Sequence, residues 1–294
     1  RDYFLFSADA EVTIEANPGT LTPEKLSIYR KYGINRISIG LQSPKNKELA
    51  ILGRIHNYAQ FLESFQMARA AGFSNINVDL MFAIPGQSYD GWIENLQTVA
   101  ALGPEHISAY SLIIEEGTPF FRKKLDLPDE DTEYRMYEDV AAVLKEYGYH
   151  QYEISNYAKA GRECRHNEGY WQRKDYLGLG LGAASLLGKE RFSNTSDMQE
   201  YLKNSSAPEK IRKNRELLTR EDEMAEFMFL GLRMTQGVSK KEFQEYFGTA
   251  IENIYGEVLK KYKKQGLLLE ESGRIFLSRE GIHVSNAVMA DFLL

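Results

Sequence analysis

The chain has 294 residues, a net charge of −6, 43% apolar residues and one cysteine, Cys164. This suggests two domains or one large α/β domain with enough apolar residues for a sizeable core. The lone cysteine excludes an intramolecular disulfide framework; with no basic-then-apolar leader and no apolar run near the ~18 residues of a membrane span, a cytoplasmic protein is the simplest expectation.

Four short, β-branched runs mark the first half: Glu11–Ala16 (EVTIEA), Arg36–Gln42 (RISIGLQ), Asn75–Phe82 (NINVDLMF) and His106–Ile114 (HISAYSLII). The first intervening helix is expected from Thr22, with Pro23 at its first position and Gly33 just past its end. Ser43-Pro44 opens a short helical stretch. Tyr58–Ala71 reads as an amphipathic helix closed by Gly72, and Tyr89–Leu102 as one closed by Gly103-Pro104. Strands alternating with helices predict a parallel sheet of right-handed βαβ units. Too few units are present to close an eight-stranded barrel. Arg1–Ser7 reads as the tail of a helix, so further strands are expected upstream. The alternative is a small open α/β sheet.

The middle, Tyr147–Thr195, is rich in Tyr, Gly and Asn. It holds a strand-like YHQYEIS and a glycine-rich YLGLGLGAAS. The latter lacks both GxGxxG order and a P-loop Lys-Ser/Thr, so tight packing and turns are expected rather than phosphate binding. A polar linker is expected at Asn204–Lys213. Beyond it, Thr219–Met234 reads as a helix, with Asp222 three residues after its Thr cap. Ser239–Phe247 and Ala250–Lys264 read as helices, Leu267–Leu269 and Arg274–Leu277 as a hairpin, and a final helix follows Arg279. Helices followed by a two-stranded wing suggest a winged-helix-like module. The domain boundary is placed near Thr195, giving units 1–195 and 196–294.

Three constellations could carry chemistry. Glu15, Gln42 and Asp79 lie in or at the ends of apolar strands, and Arg54 follows the second strand. In a parallel α/β barrel, active groups sit at the strand C-termini. Two carboxylates, an amide and a guanidinium suit a ligand with an amine, ribose hydroxyls and a carboxylate; isolated polar groups there are ordinary turn and cap chemistry. The second constellation is CRHNEGYW, Cys164 to Trp171. Imidazole can ligate iron and aromatic rings offer flat apolar surface; a lone histidine is more often a surface or core residue, and a single free cysteine a small packed one. The third is Lys260, Lys261, Lys263 and Lys264 around Tyr262. Nearby Glu242, Glu245, Glu252 and Glu257 dilute this field, so a solvated helix face is favoured over nucleic-acid binding. The histidines are few (His56, His106, His150, His166 and His283), which makes a multi-histidine metal site hard to assemble.

EVTIEANPGTL, RISIGLQS, LGRIH, VDLMFAIPGQ and CRHNEGYW occur in that order. In this the chain resembles the coproporphyrinogen-oxidase-like radical-SAM family, over essentially its whole length. HNxxYW (His166, Asn167, Tyr170, Trp171) points to the HemW branch, whose members are mostly regarded as haem chaperones. The resemblance implies a partial radical-SAM (β/α) barrel, here truncated at its N-terminus, plus a mostly helical, winged-helix-like C-terminal domain. It implies that Glu15, Gln42, Arg54 and Asp79 line an S-adenosylmethionine site, and that His166, Asn167, Tyr170 and Trp171 belong to a haem site. The partners it implies are haem and haem-accepting proteins such as respiratory enzymes, with peripheral membrane association through partners and a homodimer as further expectations, and no nucleic acid. The runner-up is oxidative decarboxylation of coproporphyrinogen III in an intact protein. Two family features are absent: the CxxxCxxC that holds a [4Fe–4S] cluster and the GGTP turn. The chain as given is therefore expected to be inactive in radical chemistry, and no catalytic residue is assigned.

Overall fold

The computed structural model describes residues 7–294. The helical tail expected over residues 1–7 falls outside them, apart from Ser7, which is irregular. Among the described residues the first elements are β1 (Thr13–Ala16), α1 (Pro23–Lys31), β2 (Arg36–Gln42), α2 (Asn46–Ile51), α3 (Tyr58–Ala70), β3 (Ile76–Phe82), α4 (Tyr89–Ala100), β4 (His106–Ser111), α5 (Glu130–Glu146), β5 (His150–Glu153) and β6 (Asn156–Ala158). Caps written in the sequence set the helix starts. The Thr22 hydroxyl accepts the Lys25 N–H ahead of Pro23. Asn57 and Gln60 form a capping box for α3, and Ser88 and Asp129 cap α4 and α5.

β1, β2, β3 and β4 form one contiguous parallel run, as the βαβ pattern predicts. Two strands extend it: the sheet order is β1-β2-β3-β4-β6-β5, with β6 antiparallel to both neighbours. The strands are shorter than expected at three places, starting at Thr13 and Ile76 and ending at Ser111.

Alternation along the central strands divides the sheet into two faces. Ile37, Ile39 and Leu41, Ile76, Val78 and Leu80, and Ile107 and Ala109 join Leu26, Phe61, Trp92, Leu96 and Met136 from the helices in one core. The intervening positions carry Ser38, Gly40 and Gln42, then Asn77 and Asp79, then His106, Ser108 and Tyr110. One face is therefore oily and covered by helices, and the other is polar.

The following elements are α6 (Arg165–Trp171), β7 (Ala184–Leu187), β8 (Glu190–Asn194), α7 (Met198–Asn204), α8 (Pro208–Ile211), β9 (Arg212–Leu217), α9 (Arg220–Gly231), β10 (Val238–Ser239), α10 (Lys240–Phe247), α11 (Ile251–Lys264), β11 (Leu268–Glu271), β12 (Arg274–Leu277), α12 (Arg279–His283) and α13 (Ser285–Ala290). β7, β8 and β9 make one small antiparallel sheet, and β10, β12 and β11 another. The β11–β12 hairpin turns at Ser272-Gly273, and Thr219 and Asp222 form the expected capping box. One reading changes. Residues 204–213 are not a linker, since most belong to α8 and the start of β9. Two compact units divide between Cys164 and Arg165, and Thr195 directly follows β8 of the three-stranded sheet. Short polar strands with few β-branched residues hid that sheet from a reading of periodicity. No helix among the described residues is long and apolar enough to cross a membrane.

Ile39 is fully buried in the second of the parallel strands. Ile39→Ala should cost about 2–5 kcal/mol in urea unfolding. A loss below about 1 kcal/mol, the scale of a surface change, would contradict the core assignment.

Candidate functional site

The polar face of the parallel sheet is organised by one amide. The Asn77 Nδ2 group donates to Ser38 Oγ at 2.8 Å and to Asp79 Oδ1 at 2.7 Å. Its Oδ1 accepts from Ser108 Oγ at 3.2 Å and lies 2.6 Å from His106 Nδ1. That contact makes Nδ1 the protonated ring nitrogen, so Nε2 accepts from the Tyr152 hydroxyl at 2.8 Å. Tyr152 Oη in turn accepts the Cys164 N–H at 3.2 Å. Burial, and then the nearby Arg36 charge, holds His106 well below the usual histidine range. His106 is thus a neutral structural link. Cys164 packs with Tyr152 and Ala158.

Above this layer the strand-end residues gather. Asp79 is on β3, where burial raises its carboxyl above the ordinary value; the Asn77 and Ser108 hydrogen bonds oppose the rise and the Glu15 charge adds to it. Gln42 ends β2 at a bulge with φ +75, a left-handed backbone that costs a non-glycine residue strain. Its Oε1 accepts from Tyr110 Oη at 2.8 Å. A Cβ built on Gly40 would meet Gln42 Nε2 at 3.2 Å, with Asn17 Oδ1 and Asp79 Oδ2 each at 3.9 Å. The glycine leaves room for three polar side chains to converge. Tyr110 is pushed up to about 12 by burial, then by Asp79, with Glu15 adding; Gln42 and Arg54 pull it down. Glu15 and Arg54 are exposed, and their charges reach this cluster. Tyr110, Asn17, Asn77 and Ser108 were missed from sequence. Polar residues at every second position of HISAYS and INVD carried the signal.

His56, from LGRIH, does other work: its Nε2–H donates to the Leu41 carbonyl at 3.1 Å, buried. Beside it, Glu48 Oε2 accepts from Ser43 Oγ, Gln87 Nε2 and Asn95 Nδ2 at 2.6, 3.0 and 2.8 Å, fixing the turns after β2 and β3.

The HNxxYW residues occupy α6. His166 and Tyr170 lie four apart on one helical face, their rings edge-on at 4.7 Å, and Tyr170 meets Tyr176 in the same way at 4.7 Å. His166 is exposed, while Asn167 and Tyr170 are half-buried. Trp171 is directed elsewhere, under the Arg233 guanidinium at 4.3 Å from its ring, and it lines a cavity of about 370 Å³ with Phe227, Met234 and Tyr246. The structure therefore brings His166 and Tyr170 together, and stacks Trp171 against Arg233. Arg173, just past α6, holds Glu226 Oε2 at 2.6 Å, and Arg191 holds Glu226 Oε1 at 2.5 Å. In the Lys260–Lys264 segment, Lys261 pairs with Asp291 and Lys263 with Glu270. No group of three or more His, Cys, Asp or Glu among the described residues is placed to hold a metal ion.

The matches to known families give the class of this protein, a radical-SAM-type chain with a coproporphyrinogen-oxidase-type C-terminal domain. Residues 2–99 match the Radical SAM superfamily and residues 218–284 the HemN C-terminal domain. The protein named Heme chaperone HemW from Bacillus subtilis is 38% identical over 288 residues, spanning 97% of this chain and 76% of that protein. Those of Lactococcus lactis and Escherichia coli are 37% and 35% identical, with 97% and 92% of this chain and 76% and 74% of those proteins covered. The solved structure of Escherichia coli coproporphyrinogen III oxidase, HemN, described as a radical SAM enzyme, superposes with a TM-score of 0.84 at 21% identity over 99% of this chain and 71% of that one. The chain belongs to the HemW heme chaperone family.

The raised Asp79 carboxyl has a consequence for stability. The folded state holds the proton more tightly than the unfolded chain, so ionised Asp79 opposes folding above the usual carboxylate range. Its favourable contribution is complete below the unfolded value and disappears as pH rises through the folded one. Asp79→Asn should therefore be more stable than wild type at pH 7, by urea unfolding, with the difference closing on acidification. A variant less stable at pH 7 would show that the carboxylate holds the fold together.

Proposed function

We propose that this protein is a haem chaperone, binding haem through α6 and delivering it to acceptor proteins. The observation that carries this reading is an exposed imidazole, His166, set edge-on against Tyr170 and Tyr176 in a chain of the HemW family. Haem is cargo here. An imidazole nitrogen supplies an axial bond to iron, and the tyrosine rings supply flat contact to the macrocycle. Trp171 stacks under the Arg233 guanidinium at the end of the same helix. Respiratory enzymes are the acceptor class this reading favours, and the cytoplasm its compartment.

The polar face of the parallel sheet fits S-adenosylmethionine. Asp79 and Glu15 offer acceptors to ribose hydroxyls or the amine, Gln42 offers both a donor and an acceptor, and exposed Arg54 offers a guanidinium to a carboxylate. Asn77 orients the Asp79 carboxylate from below, and Tyr110 orients the Gln42 amide. The [4Fe–4S] cluster of the superfamily needs three thiolates, and one cysteine, packed against Tyr152, does not fit that requirement. No radical step is assigned to these residues. Coproporphyrinogen oxidation remains the second reading; the HemN likeness at 21% identity speaks for the shared fold and not for that activity.

Adding haemin to the protein should produce a shifted Soret band. His166→Ala should alter that band while His283→Ala leaves it in place, with both variants folded by circular dichroism. Identical spectra for wild type and the His166 variant would remove His166 as the iron ligand. In a protein that also carries the cluster, Asp79→Ala should weaken S-adenosylmethionine binding about tenfold or more in calorimetry, the scale of losing one hydrogen bond to a charged group. Unchanged affinity would make Asp79 structural only.

A further inference from the structure

The glycine-rich run after Tyr176 is a fastened loop that holds leucines in solvent. Tyr176 and Leu186 exchange backbone hydrogen bonds at 2.8 and 3.0 Å, closing its base. Inside, the buried Asn194 amide donates to the carbonyls of Gly178 and Gly180 at 3.1 and 2.8 Å. Buried Ser185 Oγ accepts the Gly178 N–H at 2.9 Å, and the Thr195 carbonyl accepts the Gly182 N–H at 3.0 Å. A Cβ on Gly178 would lie 2.2 Å from the Ala184 carbonyl oxygen, so the loop packs onto its own base only with glycine there. Gly180 and Gly182 take φ of +108 and +69. The three leucines that alternate with these glycines, each preceding one, are not part of that packing: Leu177, Leu179 and Leu181 are 49%, 75% and 41% exposed.

One exposed leucine needs no explanation, but three in a loop that is tied down by buried polar groups do. A mobile loop could fold its leucines inward; this one is held from doing so by its own hydrogen bonds. Its position suggests the occupant. The loop leaves directly from Tyr176, the last ring of the His166–Tyr170–Tyr176 ladder. The ladder and the loop are therefore consecutive along the chain, an exposed imidazole at the start of one and exposed aliphatic side chains in the other.

We infer that Leu177, Leu179 and Leu181 form the apolar half of the haem seat, covering the macrocycle while His166 takes the iron. This rests on the haem-chaperone reading and names its missing contact surface. The leucines supply affinity by removing porphyrin surface from water, and the histidine sets the spectrum. The two contributions are separable.

The test is a haemin titration of the 294-residue chain, followed in the Soret region, for wild type, Leu179→Ser, the triple Leu177→Ser/Leu179→Ser/Leu181→Ser variant and His166→Ala. Because the leucines are exposed, the variants should keep wild-type circular dichroism. Leu179→Ser should weaken haemin binding by about tenfold and the triple variant by more, the scale expected for burying leucine side chains. Both should keep the wild-type Soret position at saturation, whereas His166→Ala shifts it. A folded triple variant with wild-type affinity overturns the inference and leaves the chaperone reading standing. Triple-variant affinity that is unchanged while sedimentation shows a dimer lost would assign the leucines to a second copy of the chain, and overturns it too. Absence of any haemin binding by wild type overturns both readings.

Discussion

A single buried amide ties the parallel sheet together on its polar side. Asn77 uses all four of its hydrogen-bonding positions, on Ser38, Asp79, His106 and Ser108, and so spans β2, β3 and β4. Each partner would be costly to leave unsatisfied at this depth, so the network is cooperative. It dictates the tautomer of His106, which dictates the role of Tyr152, which fixes the backbone of Cys164 where the first contact unit ends. It also sets the Asp79 carboxylate at a fixed angle. A carboxylate kept partly dehydrated is poorly matched to water and well matched to a ligand that brings its own donors. The network holds the sheet together while the Asp79 carboxylate it carries opposes folding once ionised.

The parallel core was legible because one face of each strand is apolar and the connecting helices are capped by residues that announce themselves: Thr22-Pro23, Asn57 with Gln60, and Ser88. The capping box at Thr219 and Asp222 and the turn at Ser272-Gly273 were equally plain. α5, with Asp129 as cap and Met136, Val140 and Leu144 inward, carries a helical period obscured by its many charges. The β7–β8–β9 sheet was not legible, since ERFSN and RKNREL are polar, and β9 is held by backbone pairing and ion pairs rather than a buried stripe.

The candidate sites were legible to different depths. Glu15, Gln42 and Asp79 stand out as polar residues in or at the ends of apolar strands, with Arg54 after the second, whereas Asn77 and Tyr110 show in sequence only as alternate polar positions. That Asn77 meets Asp79 and Tyr110 meets Gln42 emerges when register is known: Glu15 pairs with Ser38, Ser38 with Asn77, and Asn77 with His106, so one lateral row crosses the sheet. For HNxxYW the sequence gives membership but not direction. Helical geometry assigns positions four apart to one face, so His166 and Tyr170 pair, and Trp171 turns away to Arg233.

α6 spans Arg165–Trp171, too short to be stable on its own capping and propensity. Its C-terminal end is secured by Arg173, in a left-handed backbone at φ +56, whose guanidinium meets the buried Glu226 that also accepts Arg191. One carboxylate between two guanidiniums satisfies both its oxygens, the condition under which a buried ion pair is tolerable. The helix is therefore anchored at its end and at Trp171, with His166 exposed. The two proposed binding sites differ accordingly. The Asp79 cluster lies in a desolvated layer, suited to retaining a cofactor through chemistry. The His166 ladder and its leucine loop lie at the surface on a rigid base, where a flat ligand can be held by one face and taken from the other. A carrier that must release its cargo to another protein requires the second arrangement, because an acceptor can approach the exposed face before the first ligand lets go.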